Sequence, residues 1–367
     1  MSARHPGSTP QFAVVVPTLG RPSLAGTLRA LAEAGRPRPS RIVLVDDRPA
    51  RECGPLPVEV PEELAPLVEV VPGAAAGPAA ARNVGWRAVE EEWIAFLDDD
   101  VLPGERWTQR LVADLTAAGQ DAAGSQGRIT VPLPEHRAPT DWERNTAGLA
   151  EARWITADMA YRRAALEAVG GFDERFRRAF REDADLALRL LDAGWRLAEG
   201  ERHTVHPVRP ADRWVSVRAQ RGNADDVLMN RLHGPGWWRR AGADRGRLPR
   251  HAAVTAAAGA ALAGLAAGHR RTAAALGGLW LLGTGEFLRA RLRPGPRTLD
   301  ESLTMLLTSP LIPPAATFHW ARGRLRPVPE EGAPNIRSAP RTRGAPGSYG
   351  ARPTQQSYST GSREVRA

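Results

Sequence analysis

The sequence predicts an α/β protein, a doubly wound and mostly parallel sheet with flanking helices, followed by an Ala-rich helical region. Three observations predict it. Short apolar runs from Phe12 to Val16, Arg41 to Val45 and Trp93 to Leu97 have the continuous hydrophobicity of strands buried on both faces. Each gives way to polar or acidic residues, and helical stretches lie between them, which is the β-loop-α-β order of a parallel sheet. The chain of 367 residues has room for one large domain and an appendage.

The elements follow in order. After the first strand, Pro17-Thr18-Leu19-Gly20-Arg21-Pro22 is a turn-rich loop, and Ser23 is the expected cap of a helix over residues 24–34. The second strand stops at Asp46 and Asp47, a pair suited either to accepting hydrogen bonds from a base or ribose or simply to capping the turn. Prolines 49, 55, 57 and 61 make residues 48–65 irregular, and Val68 to Val71 reads as a third strand. Gly77-Pro78 opens a helix running to about residue 92, with Arg82 one turn in, able to reach an anion at the sheet edge. Pro103-Gly104 leads into a helix over 105–118, residues 128–131 are strand-like, and residues 154–161 form another strand. A short helix over 163–169 precedes Gly170-Gly171-Phe172-Asp173-Glu174. Glu182 and Asp183 then open a further helix, where the dipole favours carboxylates and where one of them can instead face the crevice as a general base. A last strand ends at Val205-His206.

The chemistry is concentrated at WIAFLDDDV. Asp98, Asp99 and Asp100 stand at the carboxyl end of a buried strand, the end that faces ligands in such sheets. Clustered carboxylates repel one another unless a cation neutralises them, and hard divalent ions prefer oxygen ligands. They therefore read as a metal site for a phosphorylated ligand, against the alternative of a solvated acidic corner. His206, at the end of the last strand, is a candidate further ligand.

Composition narrows the partners. Residues 1–200 carry 24 Arg against 30 Asp and Glu, a balance of −6, and residues 201–367 carry 26 against 11, a balance of +15, which recovers the net +9. The basic residues are all Arg, and basic patches interleaved with stacking aromatics are missing, so nucleic acid is not an expected partner. A basic C-terminal half beside apolar segments points to a membrane surface. One cysteine, Cys53, suits a reducing compartment, and the N-terminus has no apolar signal segment, so the expectation is a cytoplasmic protein held at the inner face of the cell membrane.

Taken in order, VVVPTLGRP, VLVDD, GPAAARNVGWRA, WIAFLDDDV, TADMAYRRAALEAVGGFDERF and FREDADLALRLLDAGWRL resemble the family 2 glycosyltransferases of the GT-A fold, over roughly residues 12–206. The resemblance implies an inverting, metal-dependent enzyme that moves a sugar from a nucleotide-diphosphate-sugar to an acceptor hydroxyl. It implies that Pro17, Thr18, Arg21, Asp46, Asp47 and Arg82 cradle the donor nucleoside, with Asp98 and Asp99 at the nucleotide-sugar. Asp98, Asp100 and His206 would hold Mg²⁺ or Mn²⁺, Asp183 would be the catalytic base, and Asp158 and Glu182 would lie on the acceptor side. Processive members carry QxxRW where this chain has Gln220-Arg221-Gly222-Asn223-Ala224, so transfer of a single sugar to a glycan or lipid-linked acceptor of the cell envelope is expected. A nucleotidyltransferase, the alternative enzyme, wants a Gly-rich phosphate loop where PTLGRP offers only Gly20. A non-catalytic module that keeps the nucleotide site is the alternative from another class.

The expected divisions are a catalytic domain over 10–210, a helical acceptor-side extension over 211–250, an apolar hairpin and interfacial segment over 251–326 and a disordered basic tail over 327–367. Residues 252–268 carry no charge but ten of the 17 are Ala, which contributes little to insertion, so spanning and packing on the soluble domain both stay open.

Overall fold

The computed structural model describes residues 9–49 and 54–327; Cys53 and all of the expected basic tail but Pro327 lie outside the described residues. Among these, eight strands form one sheet in the order β3-β2-β1-β4-β7-β6-β8-β5. The strands are β1 Phe12–Thr18, β2 Arg41–Asp46, β3 Val68–Pro72, β4 Trp93–Leu97, β5 Leu102–Pro103, β6 Ala122–Thr130, β7 Asp158–Arg162 and β8 Arg196–Val205. Pairings β1 with β2, β1 with β4, β2 with β3 and β6 with β8 are parallel. The pairings of β7 with β4 and β6, and of β5 with β8, are antiparallel.

Helices α1 Ser23–Glu33, α2 Pro78–Arg87, α3 Trp107–Ala117, α4 Asp141–Ala147, α5 Arg163–Val169 and α6 Glu182–Asp192 flank this sheet. One face buries Val14, Leu28, Leu44, Trp93, Leu97, Trp107 and Leu111; the other buries Val15, Val45, Trp86, Phe96, Tyr161, Leu186 and Leu190. Alternation along β1 sends successive valines to opposite cores, which is why the strand reads as unbroken hydrophobicity.

Several boundaries differ from the sequence reading, each for a local reason. Ser23 lies inside α1, the capping position belongs to Pro22, and the Ser23 hydroxyl is buried without a partner. The α2 helix stops at Arg87, short of residue 92. Strand β6 starts at Ala122 because pairing with β8 overrides the low β-propensity of its Ala-Ala-Gly-Ser start. Strand β7 begins at Asp158, since Trp154 turns through a positive φ of 65°. The α4 helix, absent from the reading, is announced by Thr140-Asp-Trp-Glu143, a capping box in which Thr140 Oγ1 accepts from Glu143 N and Glu143 accepts from Thr140 N.

C-terminal to the sheet come α7 Val215–Ala219, α8 Asn223–His233, α9 Trp237–Arg240, α10 Leu248–Ala266, α11 Arg270–Leu292, α12 Leu299–Thr308 and α13 Ile312–Leu325. The expected hairpin is α10 against α11, and α13 packs on both α8 and α10. Among the described residues no helix is long and apolar enough to cross a membrane. Arg291 fastens the base of the hairpin: it is 7% exposed and donates to Asp141 Oδ2 at 2.7 Å, Thr308 Oγ1 at 2.8 Å and Ser309 Oγ at 3.0 Å.

Candidate active site

Strands β1, β2 and β4 run parallel, so the ends carrying Thr18, Asp46-Asp47 and Asp98 open on the same edge of the sheet. There they meet a cavity of about 590 Å³ lined by Pro17, Thr18, Arg21, Asp47, Arg82, Asp98, Asp99 and Asp100, together with Arg177, Arg178 and Arg209.

Each acid of the triplet has its own partners. Asp98 accepts from Arg82 at 2.7 Å, and the same guanidinium donates to Glu182 at 2.8 Å, so the buried Arg82 ties β4 to the start of α6. Asp99, 3% exposed, accepts from Thr18 Oγ1 at 2.7 Å and Arg21 at 3.0 Å, which fixes the β1 loop over the cavity. Asp100 is buried beside His206 and Arg209. Burial and the Asp98 charge push its carboxyl above the usual range, while His206 and Arg209 pull it back.

Asp98, Asp100 and His206 each offer one ligand atom, and these atoms lie within 4.8 Å of one another. The donor set fits a divalent cation such as Mg²⁺ or Mn²⁺, being two carboxylates and an imidazole. Asp100 Oδ2 is buried without a hydrogen-bond donor, although Arg209 Nε sits 2.7 Å away as an ion-pair contact. His206 Nδ1 lies 3.2 Å from the Pro207 carbonyl oxygen, which can accept from it, and Nε2 faces Asp100 at 3.8 Å.

Asp47 accepts from Gly77 N at 2.9 Å and Ala76 N at 3.3 Å, and burial holds its carboxyl above the ordinary range. Gly77 has φ 99°, and a Cβ there would stand 2.5 Å from the Arg177 carbonyl oxygen; glycine thus lets the loop before α2 touch the loop before α6. Asp46 turns aside from the cavity to Arg48 at 2.6 Å, which lowers its pKa.

The α6 helix begins with Arg181 in the left-handed region, φ 78°, an uncommon conformation for a non-glycine residue. Arg181 is held there by Asp226 at 2.8 Å and by the Phe180 and Trp237 rings. The next residues are Glu182 and Asp183. Burial raises both carboxyls; Asp183 adds to the rise of Glu182, and for Asp183 the Ala184 amide, 2.7 Å away, and Arg82 pull the other way.

Asp158 is a correction. It is fully buried, accepts from Trp107 Nε1 at 2.7 Å, Thr204 Oγ1 at 2.6 Å and Arg202 Nε at 2.7 Å, and does not line the cavity. It braces β7 against β8 and α3, because a charge at the centre of the sheet survives only when fully paired. The sequence reading missed Arg177, Arg178 and Arg209. The first two sit in the Arg-rich FRRAFRED stretch, and Arg178 is fixed by both oxygens of Asp225 at 2.9 and 2.7 Å. Arg209 follows His206 by three residues in HPVR. Gly222, just before Asn223 and Ala224 where QxxRW has Arg and Trp, packs against Phe180, which a Cβ would approach to 2.8 Å.

Comparison with known proteins gives the same picture. Residues 13–170 match the family described as Glycosyl transferase family 2. The chain is similar to the pre-mycofactocin glycosyltransferases of two Mycobacterium tuberculosis strains, CDC 1551 / Oshkosh and ATCC 25618 / H37Rv. Each is 31% identical over 173 residues, 42% of this chain and 35% of the relative, so the match spans about a third of the relatives' length. Among solved structures, a mannosyltransferase from Pyrobaculum calidifontis in complex with GDP-Man and Mn²⁺ has a TM-score of 0.50 at 20% identity, covering 87% of this chain and 89% of that one. The sheet and its flanking helices are thus of GT-A type.

Proposed function

We propose, from the match of residues 13–170 to Glycosyl transferase family 2, that the protein is an inverting glycosyltransferase that moves one sugar from a nucleotide-diphosphate-sugar to the hydroxyl of a glycan or lipid-linked acceptor. It works in the cytoplasm at the inner face of the cell membrane, in cell-envelope glycan or glycolipid synthesis. The observation that carries this reading is the convergence on one cavity of three strand ends and the Arg82 bridge to α6, with an acidic corner of metal-ligand geometry.

The roles follow from the geometry. Pro17, Thr18, Arg21 and Asp47 hold the nucleoside over the ends of β1 and β2, with Arg177 and Arg178 placed to meet phosphate charge. Asp98, Asp100 and His206 would hold Mg²⁺ or Mn²⁺, which when bound would supply charge neutralisation for the departing diphosphate. Arg82 holds Asp98 at 2.7 Å and Glu182 at 2.8 Å, and so fixes the turn that opens α6 and carries Asp183. Asp183 takes the proton of the acceptor hydroxyl as that oxygen attacks the anomeric carbon. Its burial favours this by raising the basicity of the carboxylate. A single base and one in-line displacement give inversion.

The test is nucleoside diphosphate release from a panel of nucleotide sugars with Mn²⁺ or Mg²⁺ and membrane lipid extract as acceptor, comparing the wild type with Asp100→Ala and Asp183→Asn. Acceptor-dependent release that collapses in both variants is the expected result. Donor binding without release above the Asp183→Asn background in any condition would replace the enzyme with a binding module.

A further inference from the structure

The α10–α11 hairpin rests α10 on α13 but leaves much of its length exposed. Along its 19- and 23-residue helices only His251, Ala273 and Arg291 are buried, and those at 251 and 291 sit where the hairpin meets the domain. Leu262, Leu265, Leu279, Leu281 and Leu282 are 57–72% exposed. The α12 helix, which packs beside α11, exposes Leu299, Leu303, Leu306 and Leu307 as well. Exposed apolar side chains gathered on neighbouring helices mark an interaction site.

Its charges name the occupant. Arg270 and Arg271 stand exposed at the tip, and Arg250, Arg289 and Arg293 stand exposed at the base. Among the described residues no carboxylate lies within ion-pair range of these five, and Glu286, the one acid on the two helices, is taken by Arg247 at 2.6 Å. A second copy would set arginines against arginines. A surface of anionic lipid phosphates complements both ends at once.

Orientation follows from the same residues. The charge-free stretch of 17 residues between the two clusters is about 25 Å long. End-on insertion would drive Arg270 and Arg271 into hydrocarbon, at several kcal/mol in total. Lying flat keeps both clusters at the phosphates while the leucines enter the interface. We infer that the α10–α11 hairpin is an interfacial anchor that lies in the plane of an anionic membrane and does not cross it. This deepens the proposed membrane-side function but is read by partitioning, so it can fail while turnover stands.

The experiment is sedimentation of the full chain with vesicles of phosphatidylcholine alone or with phosphatidylglycerol at about one third. Binding should need the anionic lipid. Arg270→Ala with Arg271→Ala should weaken partitioning by about 30-fold, the loss of two contacts of about 1 kcal/mol each. Leu281→Glu with Leu282→Glu should abolish it with an unchanged thermal unfolding transition, since both side chains are exposed. Equal binding to neutral vesicles overturns the inference, as does wild-type binding by the Leu variant, which would assign the lipid contact to another segment. So does a wild-type dimer that the Leu variant splits in light scattering, which would make the occupant a second copy.

Discussion

The Arg82 guanidinium spans two carboxylates from different elements, Asp98 at 2.7 Å and Glu182 at 2.8 Å, while itself 2% exposed. It couples the acidic corner of β4 to the start of the helix that presents Asp183. Arg82→Met leaves Glu182 buried without its counter-charge, a loss of about 3–5 kcal/mol. Urea denaturation checks this, and Arg82→Lys should recover only part because one ammonium lacks the two-pronged fork. A variant as stable as the wild type would remove Arg82 from its bridging role.

Metal binding should depend on the Asp98, Asp100 and His206 cluster. His206→Ala is expected to weaken Mn²⁺ binding by titration calorimetry by about ten- to a hundredfold, the usual reach of ligand-shell changes. Asp100→Ala should weaken it further, since it removes a charged ligand. Unchanged affinity in both would move the metal elsewhere.

For Asp183, Asp183→Asn should lower kcat by about 10²–10⁴-fold, the range that general-base catalysis supplies. Donor affinity should hold. Burial lifts the Asp183 carboxyl above the ordinary aspartate range. The base is active only when ionised, so kcat/KM in saturating metal should fall with acid on a limb set above that of an ordinary aspartate, and that limb should vanish in the residual activity of the variant.

The capping box of α4 gives a stability prediction away from the site. Thr140→Ala should cost about 1 kcal/mol, the usual worth of an N-cap. Hydrogen bonds from Arg137 hold Glu143 down to about 2, well below its ordinary 4.5. A depressed carboxyl stabilises the fold above its unfolded value, so this contribution should be complete above about pH 4.5 and be lost as pH falls towards 2. Comparing thermal unfolding of the wild type and Glu143→Gln at pH 7 and pH 3 reads the difference directly; it should narrow in acid.

Asp158 should behave as a structural group. Asp158→Ala takes the acceptor from Arg202 Nε and Trp107 Nε1 and leaves the buried Arg202 with Asp114 as its carboxylate, at about 3 kcal/mol. A variant with native stability and a raised acceptor KM would restore the acceptor-side role.

Much of this protein is written locally in its sequence. The runs that become β1, β2 and β4 are apolar because both of their faces are covered, and the acids that follow them mark the ligand edge because parallel strands end together. That is why Asp47 and the Asp98 to Asp100 triplet could be placed at that edge from the sequence, while Thr18 came through the family resemblance. Even α4 had a local signal in Thr140 and Glu143. What the sequence does not carry is which distant groups meet. Asp158, inside the expected strand over 154–161, had an acceptor-side role only through the family resemblance, and the placement of Arg202 44 residues away makes it a buried strut. The bridge from Arg82 to Glu182 spans 100 residues, and Arg209 reaches Asp100 only because the chain beyond β8 folds back over the corner. The hairpin was legible as apolar, but its exposure was decided by the tertiary structure, which buries its base through Arg291, lays α13 on α10 and leaves Leu262, Leu265, Leu279, Leu281 and Leu282 uncovered. Strand and helix patterning answers to neighbours a few residues apart, whereas pairing of charges and covering of surfaces depend on the whole chain being folded.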